Sequence, residues 1–176
     1  MIKNCNLVSV ITPNCHILDN HRKYVLKRIF NQSYKNIEFL IYNNGISKKA
    51  EYRLLKYIRS INHRKINVIN LYSKNLKGVG KARKLLLKKA TGDYIIFIDS
   101  DDIPETNLIE FKINILSNYN CQVAISNART FKSLSNINNK NFNTRNYFLY
   151  NSLINARNQN IFSMGINIIP NSGTMI

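Results

Sequence analysis

The chain has 176 residues, which suits one domain of ordinary size, and 44 % of them are hydrophobic, enough to bury a core and exclude wholesale disorder. It carries 26 Lys+Arg against 9 Asp+Glu, a formal net charge of +17, so anionic partners are expected. Three cysteines (Cys5, Cys15, Cys121) without C-x-x-C spacing argue against a disulfide scaffold or a zinc site, no apolar run reaches the ~18–20 residues of a membrane span, and the start lacks a signal-peptide core, which together fit a cytoplasmic protein.

Leu7–Thr12 is a short apolar run that reads as a buried strand ending at Pro13. Asp19 or Asn20 can cap a helix carrying Val25/Ile29 and Leu26/Phe30 at i, i+4 spacing. Ile37–Tyr42 reads as a second strand, closed by the turn signal Asn43-Asn44-Gly45. Lys49 to Ile61 places Leu54, Leu55, Ile58 and Ile61 on one helical face, and Ile66–Leu71 reads as a third strand. Val79 to Ala90 has an apolar stripe (Val79, Ala82, Leu86, Ala90) and a basic face (Lys81, Lys84, Lys88), with Gly92 as the expected terminator. Tyr94–Ile98 is the strongest buried strand. Asn107–Leu116 reads as a helix offering Leu108, Ile109, Ile115 and Leu116 to the core, and Val123–Ile125 as a fifth strand. Residues 132–146 are Ser/Asn-rich and read as a loop, Tyr147–Ile154 as a helix and Gly165–Ile169 as an irregular strand. No repeat or linker divides residues 1–176, so one domain is expected.

The β-α alternation calls for an α/β fold: a mainly parallel, doubly wound sheet with helices on both faces and its ligand at the carboxyl ends of the strands. Charge is unevenly placed along this order. Fourteen basic residues and one acid lie between Lys48 and Lys89, whereas five of the nine acids lie between Asp93 and Glu105. Much of the lysine excess also fits a chain rich in Asn, Ile and Lys, with those lysines on solvated helix faces.

Asp99-Ser100-Asp101-Asp102 follows the strongest strand directly. Carboxylates so close repel one another, and a divalent cation relieves that cost; oxygen ligands suit Mg²⁺ or Mn²⁺ with phosphate completing the sphere. If the backbone stays extended, Asp99 and Asp101 share one side and Asp102 takes the other. The bland alternative is a solvated turn or a cap for the next helix. Upstream, Gly78-Val79-Gly80 opens a helix flanked by Lys77, Lys81 and Arg83, where free N–H groups and the helix dipole favour phosphate. The pattern is neither a P-loop nor a G-x-G-x-x-G fingerprint.

These residues resemble glycosyltransferase family 2, whose members have the Rossmann-like GT-A fold. The resemblance runs from Leu7 to about Asn127 and rests on ordered blocks: Val8-Ser9-Val10-Ile11-Thr12-Pro13, Gln32-Ser33-Tyr34-Lys35-Asn36-Ile37-Glu38, Gly78 with Ala82-Arg83, and Ala90-Thr91-Gly92-Asp93-Tyr94 followed by Phe97-Ile98-Asp99-Ser100-Asp101-Asp102. It implies a donor-binding half over about 7–127, a partial acceptor region over about 128–176, and metal-dependent, inverting transfer from a nucleoside diphosphate sugar to a glycan or lipid-linked acceptor, as in polysaccharide biosynthesis. By the resemblance Thr12 and Pro13 lie beside the base, Asn43 stands where the family's base-reading Asp stands, Arg83 lies near the nucleotide, Asp99 contacts ribose or sugar, and Asp101 ligates the metal.

The chain also departs from the family. Asn43-Asn44-Gly45-Ile46 replaces Asp-Asp-Gly-Ser, Cys15 and His16 replace an aromatic and Asn, and Lys84 replaces Asn. Inverting transfer needs a proton acceptor for the incoming hydroxyl, a carboxylate in the family's later half, yet no Asp or Glu follows Glu110 and no His follows His63. The catalytic base is therefore unassigned, and the chain reads as a truncated transferase or a donor-binding half. Rival readings are a GT-A-like pseudoenzyme that binds a nucleotide or partner and, less favoured, a basic nucleic-acid-binding domain, which lacks any RRM, KH or helix-turn-helix signature. Peripheral attachment to an anionic membrane face is compatible with the transferase reading.

Overall fold

The computed structural model describes residues 6–125, the strand segments 128–130 and 143–145, and residues 175–176. Its elements in chain order are β1 (Val8–Asn14), α1 (Asn20–Phe30), β2 (Ile37–Asn44), α2 (Lys48–Ile61), β3 (Asn67–Ser73), α3 (Val79–Leu87), β4 (Tyr94–Phe97), α4 (Leu108–Asn118), β5 (Ala128–Thr130) and β6 (Asn143–Arg145). The first four strands form a parallel sheet in the order β3-β2-β1-β4.

Alternation along the central strands assigns the two faces. Val8 and Val10 of β1 and Phe39 and Ile41 of β2 pack with Val25, Ile29 and Phe30 of α1, Leu54 and Ile58 of α2, and Ile109 and Ile113 of α4. Ile11, Leu40 and Tyr42 turn the other way, onto Ala82 and Leu86 of α3. Strands buried on both faces read as continuous apolar runs, which is why β1 and β2 stand out in the sequence.

Pro13 does not end β1. The strand continues to Asn14, with Pro13 paired to Tyr42 and Asn14 to Asn43. The Ile98 N–H donates to the Ile11 carbonyl at 3.0 Å, so Ile11 and, two residues on, Pro13 direct their backbone groups toward β4. Pairing of β1 with β4 stops at Ile11–Phe97, so the donor Pro13 lacks has no acceptor waiting for it.

Val123–Ile125 does not form the expected strand. Ala124 makes one antiparallel bridge to Met175, which also bridges Ile96, and the Ile95 and Ile176 backbones exchange hydrogen bonds of 2.8 and 2.9 Å. The free edge of β4 is thus taken by the 175–176 backbone, and Ala124 pairs with that segment instead of the parallel sheet. Within the Ser/Asn-rich stretch expected to be a loop, β6 pairs antiparallel with β5, since backbone ladders need no apolar pattern. The helix expected at 147–154 and the strand expected at 165–169 lie outside the described residues.

Two polar fasteners hold the strand ends in place. Glu38, buried in β2, accepts from Ser9 Oγ (2.5 Å), the Thr91 N–H (2.7 Å) and Thr91 Oγ1 (3.1 Å), and Ser9 Oγ accepts from the Gly92 N–H (2.9 Å). Gln32, fully buried, donates to the Glu105 carbonyl (2.6 Å) and the Arg28 carbonyl (3.2 Å) and accepts from the Ile109 N–H (3.1 Å). It ties α1 to the segment after β4 and to the start of α4. Gly92 is not the terminator of α3, which ends at Leu87. Its role is close approach: a Cβ there would lie 2.7 Å from Leu7 O, Ser9 N and Ser9 Oγ. Gly92→Ala is expected to cost about 1–3 kcal/mol, measured as a lower urea midpoint at unchanged slope.

Candidate functional site

The carboxyl ends of β1, β2 and β3, the start of α3 and the turn after β4 meet at one end of the sheet, where parallel α/β sheets take their ligands. The expectation that Asp99–Asp102 stay extended fails. β4 ends at Phe97, and the Asp102 N–H closes a turn on the Asp99 carbonyl at 3.1 Å. Asp99 faces α3, and Asp101 is exposed, its carbonyl 2.7 Å from His21 Nε2 of α1.

Arg83 is the centre of the site. Its Nη2 donates to both oxygens of Asp99, at 2.7 and 2.9 Å, and its guanidinium carbon lies 5.8 Å from the Phe97 ring centroid. Using one nitrogen for both contacts leaves the buried Nε–H unpartnered. Thr12 Oγ1 at the end of β1 is likewise buried and unpartnered. Buried polar atoms are ordinarily satisfied, so leftover capacity near the strand ends marks places where a ligand or water can complete the bonding. Gly78 and Gly80 at the exposed start of α3 leave open room: a Cβ at either would meet nothing within 4 Å.

Asn43 lies at the bottom of the site, buried and bonded on both sides of its amide. It accepts from Asn14 Nδ2 (2.8 Å) and donates to Asn70 Oδ1 (2.7 Å). Asn70 in turn donates to Glu51 Oε1 at 2.8 Å, and Glu51 Oε2 pairs with Lys48 at 2.8 Å. At the other end, Asn14 donates to the His16 carbonyl and accepts from the His16 N–H, which shapes the chain after Pro13. A row of three amides therefore crosses β1, β2 and β3 and ends on a carboxylate of α2. Asn44, on the opposite face of β2, accepts from the Lys77 N–H (2.7 Å) and donates to the Lys77 carbonyl, pinning the segment that leads into α3.

Arg83 and Asp99 are thus in contact, Thr12, Pro13 and Asn43 sit on adjacent strand ends, and Asp101 stands on the neighbouring turn. Asn14, Glu51 and Asn70 did not stand out in the sequence, and Asn44 did so only as part of a turn signal and of the Asn43–Ile46 departure. Strand alternation puts Asn14 on the face of Thr12, which was the one available signal; the contacts of Glu51 and Asn70 are long-range and leave none. Near the rim Asp19 caps α1. Burial raises its carboxyl pKa, but hydrogen bonds and charge from Arg22 outweigh that and hold it below the usual value.

The sequence and the fold are similar to those of known glycosyltransferases. The sequence pattern of glycosyl transferase family 2 matches residues 9–170. The chain is 30 % identical over 124 residues to the glycosyltransferase GlyA of Streptococcus pneumoniae, covering 70 % of this chain and 17 % of that protein. It is 31 % identical over 124 residues to WfgD of Escherichia coli, a UDP-Glc:alpha-D-GlcNAc-diphosphoundecaprenol beta-1,3-glucosyltransferase, covering 69 % of this chain and 45 % of that one. The fold matches the mannosyltransferase PcManGT of Pyrobaculum calidifontis, solved with GDP-Man and Mn²⁺, with TM-score 0.58 and 16 % identity over 70 % of this chain and 35 % of that one. The chain spans less than half the length of each of these relatives.

Proposed function

The chain belongs to glycosyl transferase family 2 and has the GT-A fold, and from that premise we propose that it binds a nucleoside diphosphate sugar and serves transfer of the sugar to a glycan or lipid-linked acceptor. The observation that carries the reading is the Arg83–Asp99 pair at the strand ends, with the exposed carboxylate of Asp101 on the same turn. Thr12 and Pro13 flank the base in this reading, Asn43 supports it from below, and Arg83 and Asp99 hold the nucleotide. PcManGT is solved with a nucleotide sugar and Mn²⁺, and the name of WfgD specifies a UDP-linked donor and a diphosphoundecaprenol-linked acceptor.

The donor set fits a hard divalent ion. Among the described residues no group of three metal-ligating side chains forms, but Mg²⁺ and Mn²⁺ settle for one or two carboxylates when substrate phosphates complete the sphere. Asp101 supplies one such carboxylate. Bound there, the ion would stabilise charge on the departing diphosphate. Inverting transfer also requires a base for the acceptor hydroxyl. No Asp or Glu follows Glu110 in the sequence, and this reading assigns residues to the donor side of the reaction alone.

A second reading has its own support. Asn43 and Asn44 are both engaged in bonds that hold the fold, which suits a binding module that keeps the architecture without transfer. Thermal melting with UDP, GDP or dTDP tests the donor-binding reading, and sugar transfer by a nucleotide-binding chain would set it apart from the binding module. With Mn²⁺ present, at least one nucleotide at a hundredfold excess over its Kd should raise the melting temperature by about 5 °C or more. Asp101→Asn should abolish the metal-dependent part of that rise. If none of the three shifts melting, the donor-binding reading fails.

A further inference from the structure

We propose that the outward face of α3, with the segment leading into it, docks on anionic lipid headgroups. The inward side of α3 is spoken for, with Ala82 and Leu86 buried on the sheet and Arg83 turned to Asp99. The outward side presents Lys81, Lys84, Leu87 and Lys88, spaced to share one face of the helix, and Lys89 follows at its end. At the helix start Lys74, Leu76 and Val79 are also exposed, Leu76 at 72 % and Val79 at 52 %. Tertiary structure therefore leaves large aliphatic side chains in water, set among lysines.

Charge complementarity selects the partner. Residues 52–92 contain no Asp or Glu, so no acid from this stretch of sequence tempers the face. Lysines near an anionic leaflet each add attraction that decays within a Debye length, and exposed aliphatic groups gain by entering the headgroup boundary. A single-stranded nucleic acid would be recognised through aromatic stacking platforms and arginine forks, and duplex phosphates would engage the lysines but leave Leu76 and Val79 without an apolar partner. The segment 74–89 has no aromatic residue, and its single arginine is the one committed to Asp99. Lysine with leucine and valine is the chemistry of a lipid interface. Arg83 lies on the same helix, so docking would bring the Arg83–Asp99 pair near the membrane surface. The proposal does not depend on nucleotide binding, and its readout fails separately from the melting shift.

The test is flotation of the 176-residue chain, without nucleotide, with vesicles rich in phosphatidylglycerol and with pure phosphatidylcholine vesicles. Binding is expected to the first and not the second, and to weaken as salt rises. The triple variant K84E/K88E/K89E should lose about tenfold or more in partitioning. The double variant L76S/V79S should lose about threefold or more at unchanged charge. Melting curves of both variants establish that they are folded, and either one suffices if the other is not. Equal binding to phosphatidylcholine overturns the proposal, as does unchanged partitioning of the lysine variant. Unchanged partitioning of L76S/V79S overturns it as well, and wild-type binding to a single-stranded oligonucleotide as tight as to the vesicles overturns it in favour of a nucleic-acid surface.

Discussion

Lys112→Met is expected to stabilise the protein at neutral and acidic pH and to flatten the pH dependence of its stability. Lys112 lies in the core stripe of α4 with Ile109, Ile113 and Leu116, fully buried, and its Nζ donates to the Ala124 carbonyl at 3.0 Å. Burial alone pushes its pKa from 10.5 down to about 7. The unfolded chain therefore binds a proton that the folded chain releases between about pH 7 and 10.5. In that window stability rises with pH by up to about 1.4 kcal/mol per unit; below it the penalty of charging the buried amine is present in full, and above it the penalty is gone. Methionine has similar length and no charge, and the Ala124 carbonyl keeps its bond from the Met175 N–H at 3.0 Å. The gain near pH 6 should be about 3–5 kcal/mol, shrinking toward zero near pH 10.5. Urea titrations of both proteins at a series of pH values check it. Parallel curves for the two would show that the amine keeps its ordinary pKa in the fold.

Arg83→Ala should weaken binding of a nucleoside diphosphate with Mn²⁺ at least tenfold, about 1.4 kcal/mol or more. The substitution removes the charge expected beside the nucleotide and leaves Asp99 without the arginine that pairs with it at 2.7 Å. The pair is only partly buried, so the stability cost should stay near 1–3 kcal/mol, below that of severing a fully desolvated pair. Arg83→Lys should recover part of the affinity by restoring charge, without the planar fork. Calorimetric titration of the three proteins measures this. Equal affinity in Arg83→Ala would remove Arg83 from the nucleotide site.

The parallel strands were legible because burial on both faces leaves runs such as Val8-Ser9-Val10-Ile11 with little to confuse them. The α4 stripe was less so. Ile113 and Lys112 occupy core positions, and a lysine there reads as a surface residue until the tertiary structure is known. Gly92 was visible as a glycine but not for its reason, since its close neighbours, Leu7 and Ser9, are more than 80 residues away along the chain. The acidic turn shows the same limit. D-x-D spacing located the carboxylates, while the turn and the engagement of Asp99 by Arg83 come from elements that meet only in the fold.

The row of amides under the strand ends has a bearing on how these positions can change. An ionised carboxylate only accepts hydrogen bonds, so Glu51 obliges Asn70 to offer its NH2, which turns the Asn70 oxygen toward Asn43 and, through Asn43, fixes Asn14. An aspartate at position 43 would set a second acceptor against that oxygen. Asn70 could serve it only by turning over and deserting Glu51. Acid at 43 and acid at 51 thus compete for one donor, and whichever holds it dictates the other's chemistry. The uncharged amide at 43 is thus what lets the one Asn70 side chain serve Asn43 with its oxygen and Glu51 with its NH2.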